Sequence, residues 1–274
     1  MHRNARSRPL DSYVIKGGEE GRARLGVIAR ALAPTTGALF DRIGAIGGGF
    51  TVDAGCGGGD VSFLIAERVG PQGHVFGFDL DETKLALARA AAKERGLYNL
   101  TFRAADVLAP WPVRNAQLVY MRFILTHLAD PDVLICRALQ ALAPGGVLVA
   151  EDIDIDGAFW DPPCRALERA NELYREVVWR NGGDPLIGRR LRRLFEEAGF
   201  PTVETALAQP FGCEGDAKET ARLTFSHIAD TVLAAGLATR DEIGALQQEI
   251  DAFTERSDTT ISTPRILQAW ARKP

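Results

Sequence analysis

The residues whose types and spacing could do chemistry lie between Phe50 and Ile153. Foremost is the run Val52-Asp53-Ala54-Gly55-Cys56-Gly57-Gly58-Gly59-Asp60. Glycines without side chains let the backbone turn tightly and come close to a ligand. A helix starting just beyond them points its unpaired N–H groups at that ligand. The run is not a dinucleotide fingerprint, which needs Gly-x-Gly-x-x-Gly: Gly55 and Gly57 fit, but Asp60 stands third. No Gly-Lys-[Ser/Thr] follows, which excludes a phosphate cradle. Asp53 and Asp60 flank the glycines and would repel a pyrophosphate; they suit a ligand carrying an ammonium and a sulfonium. Two more acids recur downstream. Asp79 is suited to accept hydrogen bonds from both hydroxyls of a ribose, and Asp106 to receive an exocyclic amine.

These residues need elements to hold them, and the hydrophobic pattern supplies a series of strands and helices. Short strands are expected at Thr51–Ala54, His74–Asp79, Leu100–Ala104, Gln117–Arg122 and Val147–Ile153. Between them, helices are expected over Val61–Val69 (closed by Gly70-Pro71), Asp81–Arg95 (closed by Gly96) and Pro131–Leu142 (stopped at Pro144-Gly145-Gly146). This alternation predicts an α/β, doubly wound and mostly parallel sheet with helices on both faces. Asp53, Asp79 and Asp106 then fall at or just past the ends of successive strands. Further on, helical spacing is expected over Arg165–Trp179 and Gly188–Ala198, and in two helices carrying Phe225 to Leu233 and Ile243 to Phe253. Strands are expected at Thr202–Ala208 and Arg265–Arg272. The domain layout predicted is an arm and helices over residues 1–49, then one domain over residues 50–274. Helical insertions at about 158–185 and 214–257 would cover the substrate. Gly17, Gly18 and Gly21 argue against a stable helix over Tyr13–Gly21, leaving a surface arm or a segment folded over the ligand.

On these motifs the chain resembles a class I S-adenosylmethionine (SAM)-dependent methyltransferase of the small-molecule type. The matching residues are Val52–Asp60, Gly77-Phe78-Asp79-Leu80-Asp81, Ala104-Ala105-Asp106-Val107 and Leu142-Ala143-Pro144-Gly145-Gly146-Val147-Leu148. The resemblance is strong over Phe50–Ile153 and loose elsewhere. It implies a Rossmann-like sheet of seven strands, the last antiparallel and supplied by Arg265–Arg272. It also implies SAM as cofactor, with S-adenosylhomocysteine as product. Gly55, Cys56 and Gly57 would then lie on its methionine part, with Asp53 near the amino group and Asp60 closing the loop. Asp79 would hold the ribose and Leu80 the adenine face, with Asp106 on the adenine amine and Val107 on the ring. Met121 and Arg122 would lie beside the methionine moiety, and Tyr13 and Gly17 on an arm closing over the cofactor.

Methyl transfer needs alignment and the exclusion of water, and for an oxygen or carbon nucleophile a base. His127, just past the fourth strand, and Asp152 and Asp154, at the end of the fifth, are the candidates. Either acid could instead meet a substrate amine. Trp160, Trp179, Phe225 and His227 could line the acceptor pocket from the covering helices. Arg189, Arg190, Arg192 and Arg193 read as a solvated helix face.

Composition bounds the rest. The chain has 274 residues and a net charge of −4, which argues against a nucleic-acid partner. Cys56, Cys136, Cys164 and Cys213 are too scattered for a zinc site, so no metal is expected. No apolar run approaches a membrane span and no apolar segment follows the basic start, so the expected setting is cytoplasmic. A homodimer is compatible with this, and secondary metabolism is the context it suggests. Two other functions share the expected sheet: a nicotinamide-dependent oxidoreductase and a non-catalytic SAM-binding module.

Overall fold

The computed structural model describes Ile15, residues 17–44, Ile46 and residues 48–274. The chain begins with α1 (Gly18–Ile43) and continues through β1 (Phe50–Ala54), α2 (Asp60–Val69), β2 (His74–Asp79), α3 (Glu82–Glu94), β3 (Leu100–Ala104) and β4 (Ala116–Arg122). A short 3-10 turn, Leu125–His127, leads to α4 (Pro131–Ala141) and β5 (Leu142–Asp154). There follow β6 (Trp160–Asp161), α5 (Arg165–Arg180), α6 (Leu191–Glu197), β7 (Glu204–Ala208), β8 (Phe211–Gly212), α7 (Asp216–Ala234), α8 (Arg240–Glu255), β9 (Thr260–Ser262) and β10 (Arg265–Arg272).

Seven strands form one sheet in the order β3-β2-β1-β4-β5-β10-β7. The first five pair in parallel, and β10 runs antiparallel to both β5 and β7. This is the expected architecture, with Arg265–Arg272 as the antiparallel strand. The central strands are apolar on both faces because helices cover both. On one face Val52, Val119 and Leu148 pack with Leu134, Ile135, Leu194 and Phe195 of α4 and α6. On the other Val75, Tyr120 and Val149 pack with Leu39, Phe40 and Ile65 of α1 and α2. Strand order reverses between β1 and β4, so a crevice opens at their carboxyl ends, where open α/β sheets take ligands.

A second core lies among the later helices. Leu173, Tyr174 and Val177 of α5 meet Phe225, Ile228 and Val232 of α7, Ile250 and Phe253 of α8, and Ile15. A three-stranded sheet, β6-β9-β8, lies beside it; the sequence pattern did not suggest it, because strands of two or three residues carry no readable alternation. The amino-terminal expectation needs correction. A helix begins at Gly18 and includes Gly21, despite the glycines. Tertiary bonds offset their entropy: Gly18 N–H donates to Asp81 Oδ2 at 2.9 Å, and Glu19 and Glu20 sit favourably in the first turn. The arginine run is also more than a solvated face. Arg189 pairs with Asp154 and Arg190 with Asp184, while Arg192 and Arg193 make local helix pairs with Glu196 and Glu197. No helix among the described residues is long and apolar enough to cross a membrane.

Gly188, just before α6, packs directly on the end of β5: a Cβ there would come within 2.7 Å of the Asp152 carbonyl oxygen and 2.8 Å of that of Ile153. Because backbone is the obstacle, Gly188→Ala is expected to cost about 1–3 kcal/mol, read as a lowered midpoint in urea unfolding.

Candidate active site

The glycine loop leaves β1 and enters α2 with Gly55, Gly57 and Gly59 at φ of 74°, 52° and 80°. These left-handed values are why glycine recurs at every second position. The loop is tied down by bonds from distant chain. Cys56 N–H donates to the Phe78 carbonyl at 2.8 Å, and Gly57 N–H to Asp79 Oδ2 at 2.8 Å. Asp81 N–H donates to Asp79 Oδ1 at 2.9 Å. Both Asp79 oxygens are thereby fixed in plane, and each keeps a lone pair for a further donor.

Asp53 is buried beneath the loop and accepts a 2.6 Å hydrogen bond from Ser62 Oγ. Burial pushes its carboxyl up to about 6, against the pull of Ser62 and of the Arg122 guanidinium. Asp60, at the start of α2, holds a bidentate pair with Arg22 of α1, at 3.1 and 3.2 Å. Burial raises its pKa as well, opposed by Arg22 and Arg122. Arg22 and Leu25 lie directly over the loop: a Cβ on Gly58 would run into Arg22, and one on Gly57 would come within 2.8 Å of Leu25 Cδ1. From the other side Ile124 fills the space over Gly55. The glycines thus serve close packing of α1 as well as tight turns, a role the sequence did not reveal.

Asp81 completes this corner. It caps α3 through Lys84 N–H, pairs with Lys84 Nζ at 3.5 Å and anchors the Gly18 N–H. Burial works against its charge, yet these bonds hold its carboxyl below the usual carboxylate range. Gly17 packs on the same carboxylate, a Cβ there falling 2.6 Å from Asp81 Oδ2. Tyr13 lies outside the described residues. Leu80 is 56% exposed beside Asp79, an apolar surface open to a flat ring. Asp106 is exposed past β3 and accepts Leu108 N–H at 2.9 Å, while Val107 is buried with its carbonyl on Trp111 Nε1. Met121 is fully buried in the sheet core, and Arg122 ends β4 among Asp53, Asp60 and Glu151. The next residue, Phe123, has φ of 54°, an uncommon value for an aromatic side chain and a mark of strain at the mouth of the crevice.

The three candidate bases separate. His127 is partly buried on the 3-10 turn. Burial, with the charges of Arg24 and Lys84, takes its imidazole down to about 3, so it is neutral and weakly basic. Asp152 is wholly buried, accepting Thr126 N–H at 3.2 Å and Ile153 N–H at 2.8 Å. It braces the turn from behind. Asp154 is clamped by Arg189 at 2.7 Å and Arg265 at 2.8 Å.

The four pocket candidates also separate. Trp160 and Phe225 line a cavity of about 50 Å3, with Ile155, Tyr174, Thr224 and Ile228. Trp179 does not line it; it is 46% exposed near the end of α5, under Arg175. His227 turns instead to α1, with Nδ1 2.7 Å from the Leu223 carbonyl and Nε2 3.1 Å from that of Glu20. It joins α7 to α1, which sequence spacing could not show.

The methyltransferase domain family matches residues 48–199. The chain is 32% identical over 221 residues to trans-aconitate 2-methyltransferase of Methylobacterium radiotolerans, covering 76% of each protein. It is 28% identical over 182 residues to demethylmenaquinone methyltransferase of Lactococcus lactis, 60% of this chain and 70% of that one. Among solved structures, geranyl diphosphate C-methyltransferase of Streptomyces coelicolor superposes with a TM-score of 0.53 at 16% identity, covering 96% of this chain and 88% of that one. Phosphoethanolamine N-methyltransferase 2 of Haemonchus contortus, solved with S-adenosyl-L-methionine, gives 0.58 at 16%, covering 92% and 57%. At such identities the structures speak for the fold.

The Asp152 carboxyl is held up to about 7, by burial first, against an ordinary 3.8. A raised folded-state pKa favours the neutral form in the fold. The stability it allows is complete below about pH 4 and is lost as pH rises through about 7. The thermal midpoint is therefore expected to fall between pH 5 and pH 8, and to fall less in Asp152→Asn; scanning calorimetry at the two pH values checks both.

Proposed function

The chain belongs to the class I SAM-dependent methyltransferases, and from that premise we propose that it methylates a small organic acceptor, with the donor at the carboxyl ends of β1 to β4. The observation that carries the donor site is the Asp79 carboxylate, fixed in plane at the end of β2 beside the glycine loop and the exposed Leu80. Its remaining lone pairs suit two ribose hydroxyls, and Leu80 suits the adenine face. Asp53 and Asp60, interleaved with Arg22 and Arg122, suit an amino acid group that carries both an ammonium and a carboxylate. Gly55, Cys56 and Gly57 give that group backbone contact; Asp106 and Val107 receive the adenine edge. Gly17, packed against Asp81, and Gly18, whose N–H donates to it, bring the start of α1 to the same place.

SAM supplies a methyl group on a positively charged sulfur. The chain's own work is to align the acceptor with that methyl and to keep water out. α1 serves the second purpose, lying over the loop through Arg22 and Leu25 and meeting α7 through Glu20 and His227. The acceptor enters from the cavity bounded by Trp160, Tyr174 and Phe225, under the cover formed by the segments at about 158–185 and 214–257. His127 contributes as a neutral hydrogen-bonding group and Asp152 by bracing its turn. The relatives are named for trans-aconitate and demethylmenaquinone, unlike one another in size and polarity, so similarity leaves the acceptor open. The small size and largely apolar lining of that cavity support a small molecule over a macromolecule.

Titration calorimetry with SAM tests the donor site. Asp79→Ala and Asp79→Asn are expected to weaken binding by about tenfold to a hundredfold, the worth of hydrogen bonds to a charged group. Unchanged affinity in both would remove Asp79 from the site. Binding of NADH in preference to SAM would favour the oxidoreductase reading instead.

A further inference from the structure

On α5 the residues that line the cavity are Leu167, Ala170, Asn171 and Tyr174, spaced to form one stripe of the helix. Leu167, Ala170 and Tyr174 are buried, as the apolar face of an amphipathic helix requires. Asn171 breaks the stripe. It is a half-buried amide where an aliphatic side chain would pack better and favour the helix more.

The hydroxyls around it are already committed. Thr220 Oγ1 donates to the Asp216 carbonyl at 2.8 Å and Thr263 Oγ1 to that of Pro264 at 3.0 Å. Ser262 Oγ accepts Phe159 N–H at 2.8 Å, and Thr224 Oγ1 accepts from Arg24 Nη2 at 3.2 Å. The Asn171 amide and the Trp160 indole N–H, by contrast, make no hydrogen bond among the described residues. The lining is also uncharged: none of the described residues around the cavity is Asp, Glu, Lys, Arg or His. Arg24 is outside the lining and donates to the Thr224 hydroxyl. A carboxylate or ammonium placed here would give up its water with no opposite charge in the lining to replace it. A neutral oxygen loses far less and gains a hydrogen bond from Asn171. Size sets a further bound. One water needs about 10–15 Å3, so the free space of about 50 Å3 takes about three to five non-hydrogen atoms, one edge of a ring or a short branched chain.

Resting on the methyltransferase reading above, we propose that Asn171 determines acceptor specificity. The acceptor is an uncharged molecule that puts a ring edge or short branched chain in the cavity and sets one carbonyl or hydroxyl oxygen against the Asn171 amide. The amide serves either group, donating to a carbonyl or accepting from a hydroxyl. Trp160 and Phe225 supply apolar wall for the body of the molecule. Thr224 ties this cavity to Arg24 of α1, two residues along from the Arg22 that lies over the glycine loop. The acceptor's body therefore sits next to the helix that roofs the donor.

The test uses the full chain with methyl-labelled SAM and a panel of phenols, enolisable ketones and alcohols of one ring or a short branched chain, each beside its carboxylate and ammonium counterpart. Turnover is expected from neutral members, with kcat/KM at least about tenfold above that of any charged counterpart. For the best acceptor, Asn171→Leu is expected to raise KM by about threefold to tenfold, with a smaller change in kcat and no loss of thermal stability. Inhibition by that acceptor's hydrocarbon analogue, which lacks the oxygen, should be unchanged or stronger in Asn171→Leu. A residue that only shaped the cavity would weaken both. Preference for charged members, no turnover of any member by a protein that binds SAM, unchanged KM in Asn171→Leu, or equal weakening of the acceptor and its hydrocarbon analogue would overturn the inference and leave the methyltransferase assignment standing. A protein that binds no SAM would instead overturn the donor-site reading on which it rests.

Discussion

One hydrogen bond, from Gly57 N–H to Asp79 Oδ2 at 2.8 Å, joins residues 22 positions apart and sets the shape of everything around the crevice. It fastens the loop between β1 and α2 to the end of β2, so the glycines cannot drift and the carboxylate cannot rotate. The same carboxylate takes Asp81 N–H, and Asp81 in turn caps α3 and holds the first residue of α1. Loop, strand end, α3 and α1 are thus linked through two acids, Asp79 and Asp81, two residues apart.

A second constraint follows from α1. Its residues lie against the glycine loop on one side and against α7 on the other, through Arg22, Leu25, Arg24 and the Glu20 carbonyl. The helix therefore separates, and at the same time couples, the place where a donor would sit and the place where an acceptor would enter. The electrostatic arrangement is divided in the same way, with acids gathered under the loop and Arg24 and Lys84 near His127.

The sheet was readable from the sequence because its signals are local. Alternating short apolar runs and helix-like stretches fix the order of β1 to β5, and a carboxylate at Asp79 or past the strand at Asp106 is visible as a residue type at a strand end. What was hidden depends on distant contacts. Gly18 and Gly21 read against a helix, yet Asp81, 63 residues from Gly18, supplies the bond that starts one. His127, Asp152 and Asp154 are alike as candidate bases on paper; only their partners separate them, through Arg24 and Lys84, through Thr126, and through Arg189 with Arg265. Trp160 and Trp179 are equally aromatic, and only their places in the fold, on β6 and near the end of α5, decide that one lines the cavity and the other is half exposed. Arg24 escaped notice for the same reason: an arginine in an amphipathic helix carries no mark of the buried face it lies on.

The central claim is that the carboxyl ends of β1 to β3, roofed by α1, form a single donor site. Hydrogen–deuterium exchange with and without S-adenosylhomocysteine tests it most directly. The account predicts slowed exchange together at Gly55–Asp60, Asp79–Asp81, Asp106–Leu108 and the first turns of α1. Protection confined to other segments, or at the glycine loop with α1 unaffected, would contradict it.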